Sequence, residues 1–300
     1  MANVSVALNR VKLSNGEILA YREREGGSHP IVFVHGNMTS SKHWDLVIDE
    51  MDAKYKVYAV DLRGFGESSY NQRINGIKDF SDDLYLWTRE LGLKNVDLVG
   101  WSTGGAVGMQ FVADYPGLCR KLILQSSAST RGYPFFATGE DGLPNVNKRL
   151  ETIEEVENDP GKTVAVQTAY NTNNRDVLKA IWNALIYTHN QPNHALYEEY
   201  VDDMRTQRNL ADVYQALNIF NISNQHNGLV EGTDLAKKIS VPVLVLQGDR
   251  DYVVSSRMAE EIIEDIGTNA RLETLVDCGH SPVIDDVTQL VQKITSFLEE

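Results

Sequence analysis

The chain has 300 residues, 42% of them hydrophobic, enough length and apolar content for one large α/β domain with an inserted lobe and too much for a disordered chain. Its 28 basic and 42 acidic side chains give a formal net charge of −14, which repels phosphate backbones and anionic membranes and argues against nucleic acid as a partner. The two cysteines, Cys119 and Cys278, form neither a disulfide framework nor a zinc-ligand spacing.

In chain order, "MANVSVALNRVKLSNGE" lacks a basic start followed by an apolar run, so no signal peptide is expected and the expected location is cytoplasmic. No stretch approaches the roughly 18 apolar residues of a membrane span. The runs 6–14 and 18–25 read as strands joined by Asn15-Gly16, a hairpin signal. "PIVFVHG" (30–36) has the composition of a buried strand, and a helical stretch runs from Lys42 to about Met51. "YKVYAVDLRGFGES" (55–68) is a strand entering a glycine-rich loop. "DFSDDLYLWTREL" (79–91) reads as a helix capped by Ser81. "NVDLVGWS" (95–102) is a strand followed at once by the helix "GGAVGMQFVADY" (104–115), and "RKLILQSSAS" (120–129) is a further strand.

From about Arg131 to Leu235 no buried strand is predicted. Helical pieces replace the strands, among them 174–187 and 209–220. In the second, Leu210, Val213, Leu217 and Phe220 fall three to four residues apart, making one apolar face. The strand pattern resumes with "VPVLVLQGDRD" (241–251), a helix at 256–266, "ARLETLV" (270–276) and a closing helix at 285–299. Alternating strands and helices predict a mostly parallel sheet covered on both faces. The expected organisation is core residues 1–130, a helical insertion over 131–235, and core residues 236–300.

"VGWSTGGA" (99–106) sets Ser102 between Gly100, Gly104 and Gly105, where a strand meets a helix. Three close glycines predict a turn that few side chains tolerate, and the helix start behind the serine supplies free N–H groups and a positive dipole end. A serine hydroxyl needs a base to act as a nucleophile at neutral pH. Of seven histidines, His189, His194 and His226 fall in the insertion, where surface or packing roles are expected. His29 precedes a strand, His43 starts a helix, and His35 ends a strand where it is suited to orient a loop. His280, in "DCGHSP" after the last strand, is the expected base. An imidazole base needs an acid to fix its tautomer. "QGDRDYVV" offers Asp249 and Asp251; Asp251 is preferred because Gly248 would make the turn that presents it, and Asp249 remains the alternative.

"HGN" after a strand, "DLRGFGES", "GWSTGG", "GDRDYVV" and "GHSP", in that order, resemble the α/β-hydrolase superfamily, whose triads run in the order matched here by Ser102, Asp251 and His280. The resemblance spans the chain outside the insertion. It implies the α/β-hydrolase fold, with a mostly parallel eight-stranded sheet, flanking helices and a lid made from 131–235. It also implies an oxyanion hole from the backbone N–H groups of Thr103 and Asn37. "HGNMTSSKHW" resembles the corresponding loop of haloalkane dehalogenases, but those enzymes need an aspartate where Ser102 stands. The "HGxGPG" loop of carbon–carbon bond hydrolases is absent. "GWS" and the stretch "NLADVYQALNIFNISNQHNG" are similar to intracellular poly(3-hydroxybutyrate) depolymerases of bacilli; "STG" replaces their more usual "SMG".

The expected activity is that of a serine esterase acting on a small neutral ester or polyester, with no metal or organic cofactor. A lactonase or a cofactor-free perhydrolase would use the same residues. A ligand receptor on this scaffold is the rival from another class. Of the aromatic residues in 131–235, most are expected to pack between lid and core and some to line an apolar cleft.

Overall fold

The computed structural model describes residues 5–300; the start of the leader reading, Met1–Val4, lies outside the described residues. A hairpin of β1 (Val6–Lys12) and β2 (Ile18–Arg24) opens the fold. Only Gly16 of the Asn-Gly pair takes a positive φ, 93°, where a two-residue type I′ turn would need both. The loop is longer, closing with Leu13 N–H on the Glu17 carbonyl at 2.8 Å.

β3 (His29–Val34) leads through a 3₁₀ turn at Ser41–Trp44 into α1 (Asp45–Glu50) and β4 (Tyr55–Val60). Next come α2 (Ile77–Glu90), β5 (Val96–Trp101), α3 (Thr103–Asp114) and β6 (Cys119–Gln125). Ser81 does not cap α2. The helix starts a turn earlier, at Ile77, and the Asp79 carboxylate accepts the N–H groups of Asn75 and Gly76. Burying Ile77 and Phe80 on one face draws Ser81 into the helix interior.

Between β6 and the next sheet strand lie β7 (Phe136–Thr138), β8 (Pro144–Arg149), α4 (Ile153–Glu157), a π-helical turn at Pro160–Val164, α5 (Ala165–Asn171), α6 (Arg175–Leu185), α7 (His194–Met204) and α8 (Leu210–Asn218). β7 and β8 form an antiparallel ribbon of their own, unforeseen in the sequence. Nearly all of β8 is exposed, so it lacks the apolar run by which a buried strand is read. Leu210, Val213 and Leu217 of α8 and Phe220 just past its end are buried as their spacing predicts. The chain closes with β9 (Val243–Gly248), α9 (Ser256–Ile266), β10 (Ala270–Leu275), α10 (Pro282–Asp285) and α11 (Val287–Glu299).

The eight-stranded sheet has the order β1-β2-β4-β3-β5-β6-β9-β10, with β1–β2 and β2–β4 antiparallel and every other pair parallel. Along β3, Val32 and Val34 enter one core with Trp87 of α2 and Phe111 of α3, while Ile31 and Phe33 enter the other with Ile48 of α1 and Phe297 of α11. Each fully buried aliphatic or aromatic side chain contributes about 1.5–3 kcal/mol. The strand order reverses at β3, which lies between β4 and β5. In open α/β sheets the crevice beyond the strand ends at such a reversal is where ligands bind. The loop after β3 and the start of α3 after β5 are at that crevice. Among the described residues, no helix is long and apolar enough to cross a membrane.

Candidate active site

Ser102 joins β5 to α3 with φ 54° and ψ −114°, a strained conformation for a residue with a Cβ, costing about 1–3 kcal/mol. The surrounding backbone holds it there. Ser102 N–H donates to the Gln125 carbonyl at 3.0 Å, and its own carbonyl accepts from Gly105 and Ala128. The strain is at the serine itself, not at its glycines, none of which has a positive φ. The glycines instead allow close approach: a Cβ on Gly104 would stand 2.3 Å from the Val34 carbonyl oxygen. Thr103 is the first residue of α3, so its N–H has no intrahelical acceptor.

His280, 2% exposed, follows β10. Its Nδ1 is 2.9 Å and 3.1 Å from the Asp251 carboxylate oxygens. With Nδ1–H donating to the carboxylate, Nε2 is left as a lone-pair acceptor. Asp251 also accepts the N–H groups of Val253 and Val254 at 2.8 and 2.9 Å. Burial pushes its pKa up, but His280 and those donors outweigh burial and hold the carboxyl below its ordinary value. Asp249 faces elsewhere, accepting from the N–H groups of Asp277 and Cys278 and so bracing the loop that carries His280. Gly248 serves through close packing, not through a turn of its own: its Cβ would lie 2.4 Å from the Cys278 carbonyl oxygen.

The His280 backbone is fixed from beneath. Trp101 Nε1–H donates to its carbonyl at 2.8 Å. His43 stacks on Trp101 at 4.4 Å and shares a hydrogen bond with Ser281 Oγ at 2.9 Å. Burial drives the His43 pKa down to about 3, so this ring is neutral packing beside the site. His35 is buried too, with Nε2 accepting from Leu62 N–H and Nδ1 bonded to the Gly36 carbonyl, which ties the loops after β3 and β4 together. His29 pairs with Asp97 at 2.9 Å, while His189, His194 and His226 are exposed.

Asn37 lies in the loop after β3, and its Oδ1 accepts from Gln207 Nε2 at 2.7 Å. The same loop is held by Asp203 at the end of α7, whose carboxylate accepts Ser40 N–H at 2.8 Å, Thr39 Oγ1–H at 3.2 Å and the Ser40 hydroxyl. Burial, aided by Asp61, pushes the Asp203 pKa up to about 6 despite those donors. Neither Asp203 nor Gln207 was singled out in the sequence. Their contacts span 163 and 170 positions, and no local pattern marks them.

Ser102, Thr103, Asn37 and His280 all line one cavity of about 510 Å³. Among the described residues no hydrogen bond joins Ser102 Oγ to His280 Nε2. Tyr133, Phe135, Phe136, Trp182 and Tyr214 give the walls, whereas Tyr170, Tyr187, Tyr197, Tyr200 and Phe220 are packed away from it. Among the described residues no cluster of His, Cys, Asp and Glu is arranged to hold a metal ion.

The chain is 30% identical over 160 residues to the 2-hydroxy-6-oxo-2,4-heptadienoate hydrolase of Pseudomonas putida, a match covering 50% of this chain and 58% of that protein. It is 25% identical over 297 residues to the non-heme haloperoxidase of Rhodococcus erythropolis, covering 96% and 98% of the two chains. An esterase from Exiguobacterium antarcticum superposes with a TM-score of 0.74 at 20% identity, over 97% of this chain and 99% of that one. The model of the alpha/beta hydrolase fold family matches residues 29–287, and the chain belongs to that family.

Proposed function

We propose that the protein hydrolyses carboxylic esters through an acyl-enzyme on Ser102. One observation supports this: Ser102, His280, Asn37 and Thr103 line a single cavity with aromatic and aliphatic walls. His280 Nε2 takes the Ser102 proton as Oγ attacks the ester carbonyl, and Asp251 stabilises the imidazolium that forms. The N–H groups of Asn37 and Thr103 bind the tetrahedral oxyanion. His280 then protonates the departing alcohol, and water repeats the sequence to release the acid. Residues 131–235 act as the lid that shapes the cavity.

The substrate in this reading is amorphous poly(3-hydroxybutyrate) or its short oligomers, cleaved to 3-hydroxybutyrate. A polyester segment is uncharged along its length, and its methyl groups suit apolar walls. The lid stretch 209–228, similar to that of the depolymerases named above, supports the same choice. The full-length likeness to a protein named non-heme haloperoxidase favours a second reading, in which hydrogen peroxide replaces water on the acyl-enzyme and yields a peracid.

The test is turnover of short p-nitrophenyl esters and of 3-hydroxybutyrate trimer by wild type and S102A. Loss of kcat by about 10⁴-fold or more in S102A, with a fluorophosphonate probe labelling Ser102 alone, is expected. Normal turnover in S102A sinks the mechanism, and lack of any turnover by wild type favours a receptor. Brisk p-nitrophenyl acetate cleavage without release of 3-hydroxybutyrate leaves an esterase and removes the polyester. Peracid formation exceeding hydrolysis selects the perhydrolase.

A further inference from the structure

One side chain on the cavity wall does not fit an all-neutral substrate. Lys162, on the π-helical turn Pro160–Val164, lines the same cavity as Ser102 and His280. Among the described residues that line the wall it is, apart from His280, the one ionisable base, and none of them is a carboxylate. Its Nζ donates to the Phe136 carbonyl at 2.8 Å and lies 5.3 Å from the centre of the Phe135 ring. An ammonium has three donors, so two remain.

Among the described residues no carboxylate comes within ion-pair distance of Lys162, although 42 acidic side chains are available to 28 basic ones. Other cations around the insertion do find carboxylates: Lys179 and Arg175 pair with Glu198, and Arg73, in the loop before α2, pairs with Asp212 and Glu157. The carboxylate next to Lys162 along the chain, Asp159, is already occupied by Thr138 N–H, the Thr138 hydroxyl and Lys162's own backbone N–H at 2.6 to 3.0 Å. Burial lowers the Lys162 pKa and Asp159 only partly opposes it, as for a cation that has lost water and gained no full counter-charge.

We infer that Lys162 is an anion-recognition residue of the catalytic cavity, selecting esters that carry a free carboxylate away from the scissile bond. The inference rests on ester hydrolysis at Ser102 and adds a chemical class to it: short hydroxyacid oligomers, or half-esters of dicarboxylic acids, ahead of fully neutral esters. The net charge of −14 does not oppose this, because exposed charges are screened beyond about 8–10 Å while a half-buried lysine meets the substrate at contact. The carboxylate end supplies acceptors for the two spare N–H groups in a charge-assisted bond.

Two matched pairs test it. One is p-nitrophenyl hydrogen adipate against p-nitrophenyl hexanoate, which puts the carboxylate on the acyl side. The other is 3-hydroxybutyrate dimer against its primary amide, which puts it on the leaving-alcohol side. The readout is the ratio of kcat/KM within each pair, for wild type, K162Q and K162R. Gln keeps a donor for the Phe136 carbonyl without the charge, and Arg keeps the charge. In at least one pair the ratio should fall about tenfold in K162Q, mainly through KM, and stay within about threefold of wild type in K162R. An unchanged ratio in K162Q for both pairs, or equal loss in K162Q and K162R, overturns the inference. Hexanoate turnover that S102A abolishes separates that failure from failure of the esterase reading.

Discussion

Asp249 and Asp251 are two residues apart on one loop and hold the His280 loop in different ways. Asp251 accepts from the His280 ring, Asp249 from the backbone beneath it. D251N removes the carboxylate that fixes the imidazole tautomer and should lower kcat by about 10³–10⁴-fold; because Asp251 also accepts two backbone N–H groups, the melting temperature should fall as well. D249N should also lower the melting temperature, since it weakens two backbone bonds worth about 1 kcal/mol each, but should leave kcat within about tenfold of wild type. Steady-state kinetics and thermal melts of both variants decide the assignment, and a reversed order would give the acid's role to Asp249. The proposed site of Ser102, His280 and the Asp pair was legible because glycine and proline punctuation at strand ends survives in the linear sequence. Asp203, Gln207 and Trp101 were not. Each acts on a loop more than 150 residues away, so its role exists only once the chain has folded.

Among elements, the parallel strands were read from their apolar runs, because burial on both faces leaves no room for polar alternation. The β7–β8 ribbon was missed for the opposite reason: its residues are mostly exposed and polar. The start of α2 was misread because Asp79, acting three residues inside the helix, caps it in place of Ser81. The link between α7 and the loop after β3 yields a pH prediction. Asp203 has a folded pKa of about 6 against its ordinary 3.8, so the folded state holds this proton more tightly than the unfolded chain. Its stabilising contribution is complete below about pH 4 and is lost as pH rises through about 6. D203N cannot titrate. Its melting temperature relative to wild type should therefore be more favourable at pH 7.5 than at pH 5. A difference that is constant across that range would show that Asp203 does not titrate there.

At the scale of the whole molecule, chain order and packing divide the protein differently. Residues 131–235 form one insertion along the sequence, yet their buried side chains enter both cores of the sheet. Val213, Leu217 and Phe220 join Trp87 and Phe111 on one face, while Trp182, Tyr200 and Met204 join Phe33 and Trp101 on the other. His43 is the meeting point: stacked on Trp101 of the sheet, it lies 4.9 Å from Tyr200 and 5.9 Å from Trp182 of the insertion. An insertion whose buried side chains are shared between both cores of the sheet should melt with the sheet in one transition. Tyr200, 2% exposed, is the side chain with which to test this. Truncation to Ala should cost about 3–5 kcal/mol, a large part of the about 5–15 kcal/mol that holds a typical domain together. Its hydroxyl has no hydrogen-bond partner among the described residues, so Y200F should cost almost nothing. Native-state hydrogen exchange gives the decisive readout. In Y200A the opening free energy of the most protected amides in α7 and α8 should fall by the same amount as that of β5 and β9. If the helices fall and the strands hold, the insertion is a separate unit of folding, and its opening over Ser102 is set by its own stability.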